Sequence, residues 1–426
     1  MEAIPTSPLR RGTTPFRLSP RALGTQQLAR FSLFSVTTGN FNTAVGALSL
    51  DLNTADSNTA IGAAALLFNT TGTLNTATGT AALEFNSTGD SNTANGAFAL
   101  FSNTEGGNNT AIGESSLLSN TTGSANTAIG SNALNENTTG SQNTATGASA
   151  LSSNDEGIKN TAVGVTALSG NTTGNFNTGV GFLALGLNVT GSSNTAIGNQ
   201  TLVFNTTGDS NTATGANALL NNTVGSDNTA TGVFAVFSNT TGNLNTGVGF
   251  QALNANLTGS QNTAIGRDAL QVSNGGNHNT ALGAAAGISV TTASNNTALG
   301  FTAGSSVTTA NNVISIGAVG ANVDNSCFIG NISGVAITGV PVVVAGNGQL
   351  GVAPAGSPLS ANELLKQQRV VQELKATTER QAAVIALQEG QIKALTAGLK
   401  QQADQIQKVS VQLEASKPAP QVVNNP

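Results

Sequence analysis

The sequence predicts an all-β parallel β-solenoid, or β-roll, of 17-residue coils, followed by a C-terminal α-helical coiled coil. A five-residue motif recurs at a fixed interval through about two-thirds of the chain. Each interval contains turn signals rich in Asn, Thr and Gly, and a seven-residue apolar period replaces the motif near the C-terminus. The composition agrees with a stacked solenoid, because 51 of 426 residues are Gly and only 8% are charged. Small, uncharged side chains suit a closely stacked backbone.

Composition and motifs divide the chain into five predicted segments. We expect a disordered basic leader at 1–38, a β-roll at 39–317, a strand-rich adaptor at 318–359, a coiled coil at 360–417 and a disordered tail at 418–426. Residues 39–359 hold thirteen acidic residues against Lys159 and Arg267, a net charge of −11. A middle segment this acidic lacks the basic surface that nucleic acid requires, so no nucleic-acid partner is expected.

The repeated motif is Asn-Thr-Ala/Gly-x-Gly. Its first interval is 16 residues and the following fourteen are all 17, and its final Gly is present in every copy from Gly46 to Gly300. We number each coil from the motif Asn, so that Asn126 is position 1 and Gln142 is position 17. The sixteen motif asparagines are Asn42, Asn58, Asn75, Asn92, Asn109, Asn126, Asn143, Asn160, Asn177, Asn194, Asn211, Asn228, Asn245, Asn262, Asn279 and Asn296.

Each coil has two apolar points. Position 4 is Val, Ile or Leu in eleven of the sixteen copies, and position 9 is Leu in thirteen. Turn residues separate them, most clearly the Asn-Thr-Thr-Gly at positions 12 to 15, as in Asn137 to Gly140. This pattern predicts two short strands per coil, with the apolar side chains of positions 4 and 9 in the core.

A coil this short cannot bury a face alone, so it must stack on its neighbours. Stacking at about 4.7–4.9 Å per coil gives a rod of roughly 75–80 Å for sixteen coils. The invariant Asn and Thr of the motif are then predicted to form ladders of like side chains. Because each coil offers few large apolar side chains against the entropy cost of ordering its backbone, we expect burial by further chains, and hence an oligomer.

The unit Asn-Thr-Ala-Ile-Gly-x-x-Ala-Leu, as in 126–134 and 262–270, resembles the repeat of the YadA-type head of trimeric autotransporter adhesins. The resemblance covers 39 to about 317 and implies a left-handed β-roll of three identical chains. It also implies an extracellular or cell-surface location and attachment to a host, matrix or glycan surface. The present unit is longer than that of the family, and the family's outer-membrane β-barrel anchor has no counterpart in this sequence.

A heptad period begins at Leu364 and ends before Pro418. Three d positions are apolar, and the others include four Gln, which predicts a coiled-coil core with polar layers. A lone amphipathic helix packed on a body is the alternative, but the pattern lasts about fifty residues. The a positions are Leu364, Val371, Thr378, Ile385, Ile392, Leu399, Ile406 and Leu413. The d positions include Gln367, Leu374, Gln381, Gln388, Leu395, Gln402 and Val409.

The segment 325–352 resembles the one that precedes the self-cleaving intramolecular chaperone of phage tailspikes and fibres. The residues 353–361 leave no room for that chaperone domain. We therefore do not assign Ser357, Ser360 or Lys366 a catalytic role.

No catalytic, metal-binding or cofactor-binding residue is predicted, and we expect that the chain is not an enzyme. One His and one Cys exclude a multi-ligand His/Cys metal site and an internal disulfide within one chain. His278 occupies a variable turn position, and Cys327 occupies the Thr position of a decayed repeat, where we expect a ladder residue. The sequence has no stretch of 18 apolar residues, so we expect no membrane-spanning helix. Residues 28–36 make a poor secretory signal because Arg30 interrupts them.

The leading functional hypothesis is a non-enzymatic fibrous surface protein, a homotrimeric rod used for adhesion or as a structural spacer. A phage-like tail-fibre shaft is the second hypothesis and shares the architecture. The third is an ice-binding solenoid, suggested by Thr-Ala-Thr copies at Thr76, Thr144, Thr212 and Thr229. A ligand would contact variable outward positions such as Phe98, Phe182, Phe234 and Phe250, for which packing between subunits is the alternative role.

Overall fold

The computed structural model describes residues 26–27, 32–33, 38–330, 342–344, 350–352 and 361–415. The chain forms two compact units, Met1–Gly334 and Val335–Pro426. Apart from 26–27, 32–33 and 38, the predicted basic leader lies outside the described residues, and so does the predicted tail at 418–426.

The first unit is a parallel β-solenoid in which each strand pairs with the strand of the next coil. The register is one coil, as in Thr178 opposite Thr195. The predicted stack of 17-residue coils is therefore confirmed. The strands are β1 Gln26–Gln27, β2 Thr43–Val45, β3 Thr59–Ile61, β4 Thr76–Thr78, β5 Thr93–Asn95, β6 Thr110–Ile112, β7 Thr127–Ile129, β8 Thr144–Thr146, β9 Thr161–Val163, β10 Thr178–Val180, β11 Thr195–Ile197, β12 Thr212–Thr214, β13 Thr229–Thr231, β14 Thr246–Val248, β15 Thr263–Ile265, β16 Thr280–Leu282, β17 Thr297–Leu299, β18 Ile314–Ile316 and β19 Cys327–Ile329.

The solenoid sheet extends past residue 317, because β19 pairs in parallel with β18. The second unit contains an antiparallel pair, β20 (Val342–Val344) and β21 (Leu350–Val352). It also contains one long helix, α1, from Ala361 to Ala415.

The prediction of two strands per coil is wrong, because each full coil has one three-residue strand at positions 2 to 4. The Leu of position 9 lies instead in a left-handed turn, with φ 52° at Leu134. Positions 7 and 17 share this conformation, at Asn132 and Gln142. A non-Gly residue rarely adopts it, and it reverses the chain within one or two residues. Hydrogen bonds between coils hold the turn, such as the 2.9 Å bond from Leu134 N to Ala150 O.

The prediction that the apolar residue of position 4 is buried is also wrong. Ile129 is 39% exposed, whereas Ala128 at position 3 is fully buried. Side chains alternate across a strand, so position 3 points inward and positions 2 and 4 point outward. The narrow interior accommodates small residues at positions 3 and 8, such as Ala128 and Ala133, together with Leu134 at position 9.

The Gly at position 5 stacks directly on the Gly of the next coil. At Gly130 the φ is +134°, and a Cβ would lie 2.5 Å from Gly147 O. Both the backbone conformation and the close approach exclude a side chain. This double requirement explains why no copy from Gly46 to Gly300 departs from Gly.

Candidate binding surfaces of the solenoid

The repeated asparagines belong to the interior. Asn137, at position 12, donates from Nδ2 to Oδ1 of Asn120 at 2.8 Å and to Gly140 O at 2.9 Å. Asn126, at position 1, donates to the same Gly140 O at 2.8 Å. Its Oδ1 accepts a 2.9 Å hydrogen bond from the backbone N of Asn143 in the next coil. The ladder of position 12 was not predicted. The ladder predicted for the motif Asn forms in part, since Asn211 Nδ2 donates to Asn194 Oδ1 at 3.1 Å, whereas the side chain of Asn126 bonds only backbone groups. These fully buried amides stabilise the fold rather than offering a ligand site.

The predicted Thr ladder at position 2 is not formed. Within the described residues, no hydrogen bond joins the hydroxyls of these threonines from coil to coil. Threonines of position 13 connect the coils instead, because their hydroxyls donate to the backbone of the next coil, as Thr121 Oγ1 does to Thr138 O at 3.1 Å. The position 2 hydroxyls therefore remain on the outer surface of the strands.

Three outward surfaces surround the core. We call positions 2 and 4 the strand face, positions 6, 7, 10 and 11 the turn face, and positions 13, 14, 16 and 17 the polar face. In the coil 126–142, Thr127 and Ile129 lie on the strand face, Asn135 on the turn face and Thr139 on the polar face.

The strand face carries no charged side chain from Thr43 to Leu299. Position 2 is Thr in all sixteen coils, and position 4 is Val, Ile or Leu in eleven, Thr in four and Asn in one. Ten of the sixteen position 4 side chains are exposed, with 43% at Ile61 and 40% at Ile265, and the other six are half-buried. The result is an uncharged column of hydroxyls beside a mostly apolar column.

The turn face gathers a first aromatic patch from Phe68, Phe85, Phe98 and Phe101. The centroids of Phe68 and Phe85 are 5.1 Å apart in a stacked arrangement. Phe101 contacts Phe85 at 4.9 Å and Phe98 at 5.8 Å, both edge to face. Such geometries are favourable for aromatic pairs. Glu84 precedes Phe85 on this face, and burial raises the pKa of its carboxyl above the ordinary value.

A second aromatic patch on the turn face contains Phe234, Phe237 and Phe250. Phe234 lies 5.5 Å from Phe237 and 6.5 Å from Phe250, measured between ring centroids. Phe250 is exposed, and Phe234 is half-buried.

The structure groups only some of the predicted ligand-contacting residues. Phe234 and Phe250 come together, and Phe98 joins rings that the sequence analysis did not single out. Phe182 is exposed, and in the described part of the chain it contacts no other ring. Phe68, Phe85 and Phe101 were missed, although they occupy positions 10 and 11 of three consecutive coils. Sorting the phenylalanines by coil position would have found this patch.

The polar face has a ladder that the sequence analysis missed. At position 16 the side chain accepts a hydrogen bond from the backbone N of position 16 in the preceding coil. Ser141 Oγ accepts from Ser124 N, and Ser260 Oγ accepts from Asn243 N, both at 3.0 Å. The recurrence of Asn, Asp, Ser or Thr at this position is the signal in the sequence.

The isolated candidates lie apart from these patches. His278 is exposed at position 17 in a left-handed turn. Cys327 is exposed, is the first residue of β19, and continues the column of coil position 2 on the strand face. Ser357, Ser360 and the side chain of Lys366 lie outside the described residues.

The helix α1 presents its side chains to solvent. From 369 to 412 every side chain except that of Ala376 is exposed. The apolar heptad residues are included, with exposed fractions of 62% at Ile392 and 67% at Leu395. The apolar seam therefore has no partner within the described chain.

Within the described residues no three His, Cys, Asp or Glu side chains come close enough to hold a metal ion. In the same part of the chain, no helix combines the length and the apolarity that crossing a bilayer requires. Comparisons with protein-family models, curated proteins and solved structures find no match for this chain.

Proposed function

We propose that this chain is a non-enzymatic fibrous surface protein that works as a homotrimeric rod, for adhesion or as a structural spacer. The observation that carries the proposal is the unpartnered seam of α1. A helix of 55 residues gains most of its stability from packing an apolar stripe, and here that stripe is exposed. Copies of the same helix supply matching a and d side chains, so α1 forms a coiled coil.

The solenoid supports a role in display rather than catalysis. Its interior is filled by Ala, Leu and hydrogen-bonded Asn, while the outward positions of its turn face vary from coil to coil. The two aromatic patches are the proposed contact points for a ligand on a host, matrix or glycan surface. Binding of the purified protein to immobilised matrix proteins and to a glycan array tests this role. We expect Phe85→Ser and Phe98→Ser to weaken the binding.

The mass in solution tests the oligomer. Light scattering should give three times the 42.2 kDa of one chain, and electron microscopy should show elongated particles. Replacing two a residues, Ile385→Asp and Ile392→Asp, should reduce the mass, because charges in a coiled-coil core oppose association. Lys393→Asp is the matched control at an outer heptad position and should leave the mass unchanged. A wild-type mass of one chain contradicts the proposal.

Two alternatives share this architecture. A phage-like tail-fibre shaft differs only in the body that the rod is attached to. An ice-binding solenoid is favoured by one observation, the outward Thr column of the strand face, in which four threonines are exposed and twelve are half-buried. A measurement of thermal hysteresis tests the latter.

A further inference from the structure

We propose that the strand face is the surface through which the solenoids of neighbouring copies pack against each other. This inference rests on the proposed oligomer and identifies which of its outward surfaces is covered. The occupant is a second copy of this chain.

The size of the strand face fits a stable interface. Sixteen coils at about 4.7–4.9 Å give a length of roughly 75 Å, and residues two apart on a strand are about 6.6 Å apart. With the side-chain radii included, the face is about 10 Å wide and covers roughly 750 Å². That total is close to the ~800 Å² that each chain buries in a standard two-chain interface, and in a trimer it is shared between two neighbours. The apolar column of the strand face alone covers roughly half of that area, which is the size of the largest apolar patch on a typical monomer, and such patches are often functional.

The charges of the solenoid favour this face over the others. The segment 39–359 has a net charge of −11, so two copies repel when their acidic side chains face each other. The acidic residues of coils one to sixteen lie at positions outside the strand face, for example Glu136 on the turn face and Asp155 on the polar face. Contact through the strand face therefore buries no charged side chain within those coils.

The uniformity of the strand face also favours a second copy. A contact that runs along many coils needs the same complementarity at every step, and each coil contributes one Thr and one side chain of position 4. The turn face fails this requirement, because its aromatic patches are interrupted by polar coils such as the one containing Ser131, Asn132 and Glu136. The Thr hydroxyls of the strand face, which form no ladder within the chain, are available to donate to the partner copy.

Thiol crosslinking of the full chain tests the location of the interface. Cys327 is replaced by Ser, and one new cysteine is introduced by Thr144→Cys on the strand face or by Thr139→Cys on the polar face. In a parallel arrangement equal residues of the copies lie opposite each other, so a short bismaleimide should link copies of the Thr144→Cys variant. The expected result is a shift of most of this protein to the mass of two or more linked chains under denaturing conditions. The Thr139→Cys control should stay at the mass of one chain.

The outcomes separate this inference from the proposed function. Efficient crosslinking of Thr144→Cys alone supports it. An oligomer of the expected mass in which only Thr139→Cys crosslinks overturns the interface and leaves the proposed function standing. A monomeric wild type overturns both, and thermal hysteresis by that monomer assigns the strand face to ice.

Discussion

Asn137 Nδ2 lies 2.8 Å from Asn120 Oδ1, and this bond is one step of a buried amide ladder. The ladder runs through position 12 from Asn53 to Asn256. Each internal amide uses both donors, one toward the preceding Asn and one toward the Gly carbonyl of its own coil. A narrow coil cannot enclose many large apolar groups, so satisfied amides at positions 1 and 12 stabilise part of its interior instead.

Breaking the ladder at its middle should be costly. Asn137→Ala leaves Asn120 Oδ1 without its donor and Asn154 Nδ2 without the acceptor now at 2.7 Å. Each buried polar group that loses its partner costs about 1–3 kcal/mol, so the loss of two partners should lower the free energy of unfolding by roughly 2–6 kcal/mol. Chemical denaturation monitored by circular dichroism measures this change. Thr139→Ala, at an exposed position of the same coil, is the control, and equal losses in the two variants would contradict a structural role for the ladder.

The Asn ladder of position 12 was not predicted, because the expectation concerned the motif Asn of position 1. The repeat interval predicted the stacking, because stacking follows from the number of residues between equal side chains. It did not predict which residues point inward. Ile129 looks like a core residue by hydrophobicity, but strand alternation from the buried Ala128 turns it outward. Leu134 has the hydrophobicity of a strand residue, yet it lies in a left-handed turn that no sequence propensity favours for Leu. The aromatic patches depend on which columns are neighbours around the coil, which only the structure supplies.

The Asn ladder ends where Ser273 replaces Asn at position 12. Asn256 Oδ1 and Ser273 Oγ are both buried and have no hydrogen-bond partner. Ser273→Asn should extend the ladder, because the new amide can donate to Asn256 and to Gly276 as in other coils. We expect stabilisation of about 1 kcal/mol, the net value of one hydrogen bond. A thermal melt measures it, and a lower midpoint than that of the wild type would count against this account.

Val290→Asn, one coil later, is the contrasting variant. In the coil that contains Ser273, position 15 is Gly276. In the next coil, which contains Val290, position 15 is Ala293. A Cβ at position 15 crowds the amide of position 12, since at Gly140 it would lie 2.4 Å from Asn137 Oδ1. Val290→Asn should therefore destabilise the solenoid, whereas Ser273→Asn stabilises it. The same melting experiment compares the two, and a gain in both variants would show that the methyl group of Ala293 does not matter.

The ladder of the polar face has a gap at Ile158. This residue offers no side-chain oxygen to Ser141 N, whereas Asn175 Oδ1 accepts from Ile158 N at 2.8 Å. Ile158→Ser should restore the missing hydrogen bond and raise the free energy of unfolding by about 0.5–1 kcal/mol, because the site is only partly buried. Ile158→Ala removes the same apolar group without adding an acceptor and is the matched control. Comparable stability of the two variants in urea would refute the proposed bond.

Glu84 gives the solenoid a pH dependence of predictable sign. Burial raises the pKa of this carboxyl above its ordinary value of 4.5, so the folded state keeps the proton to a higher pH than the unfolded chain. The free energy of unfolding therefore falls as the pH rises from the unfolded pKa through the higher folded pKa, and it stays lower at neutral pH. Gln carries no charge at any pH, so Glu84→Gln should be more stable than the wild type at pH 7.

The difference between Glu84→Gln and the wild type should shrink below pH 4.5, where the wild-type carboxyl is protonated in both states. Urea unfolding of the two proteins at several pH values between 3 and 7 measures this difference directly. Glu136→Gln, at an exposed position of the turn face, controls for the exchange of Glu for Gln and should have a smaller effect at pH 7. If the stability gain of Glu84→Gln is the same at pH 3 as at pH 7, the charge of Glu84 is not its cause.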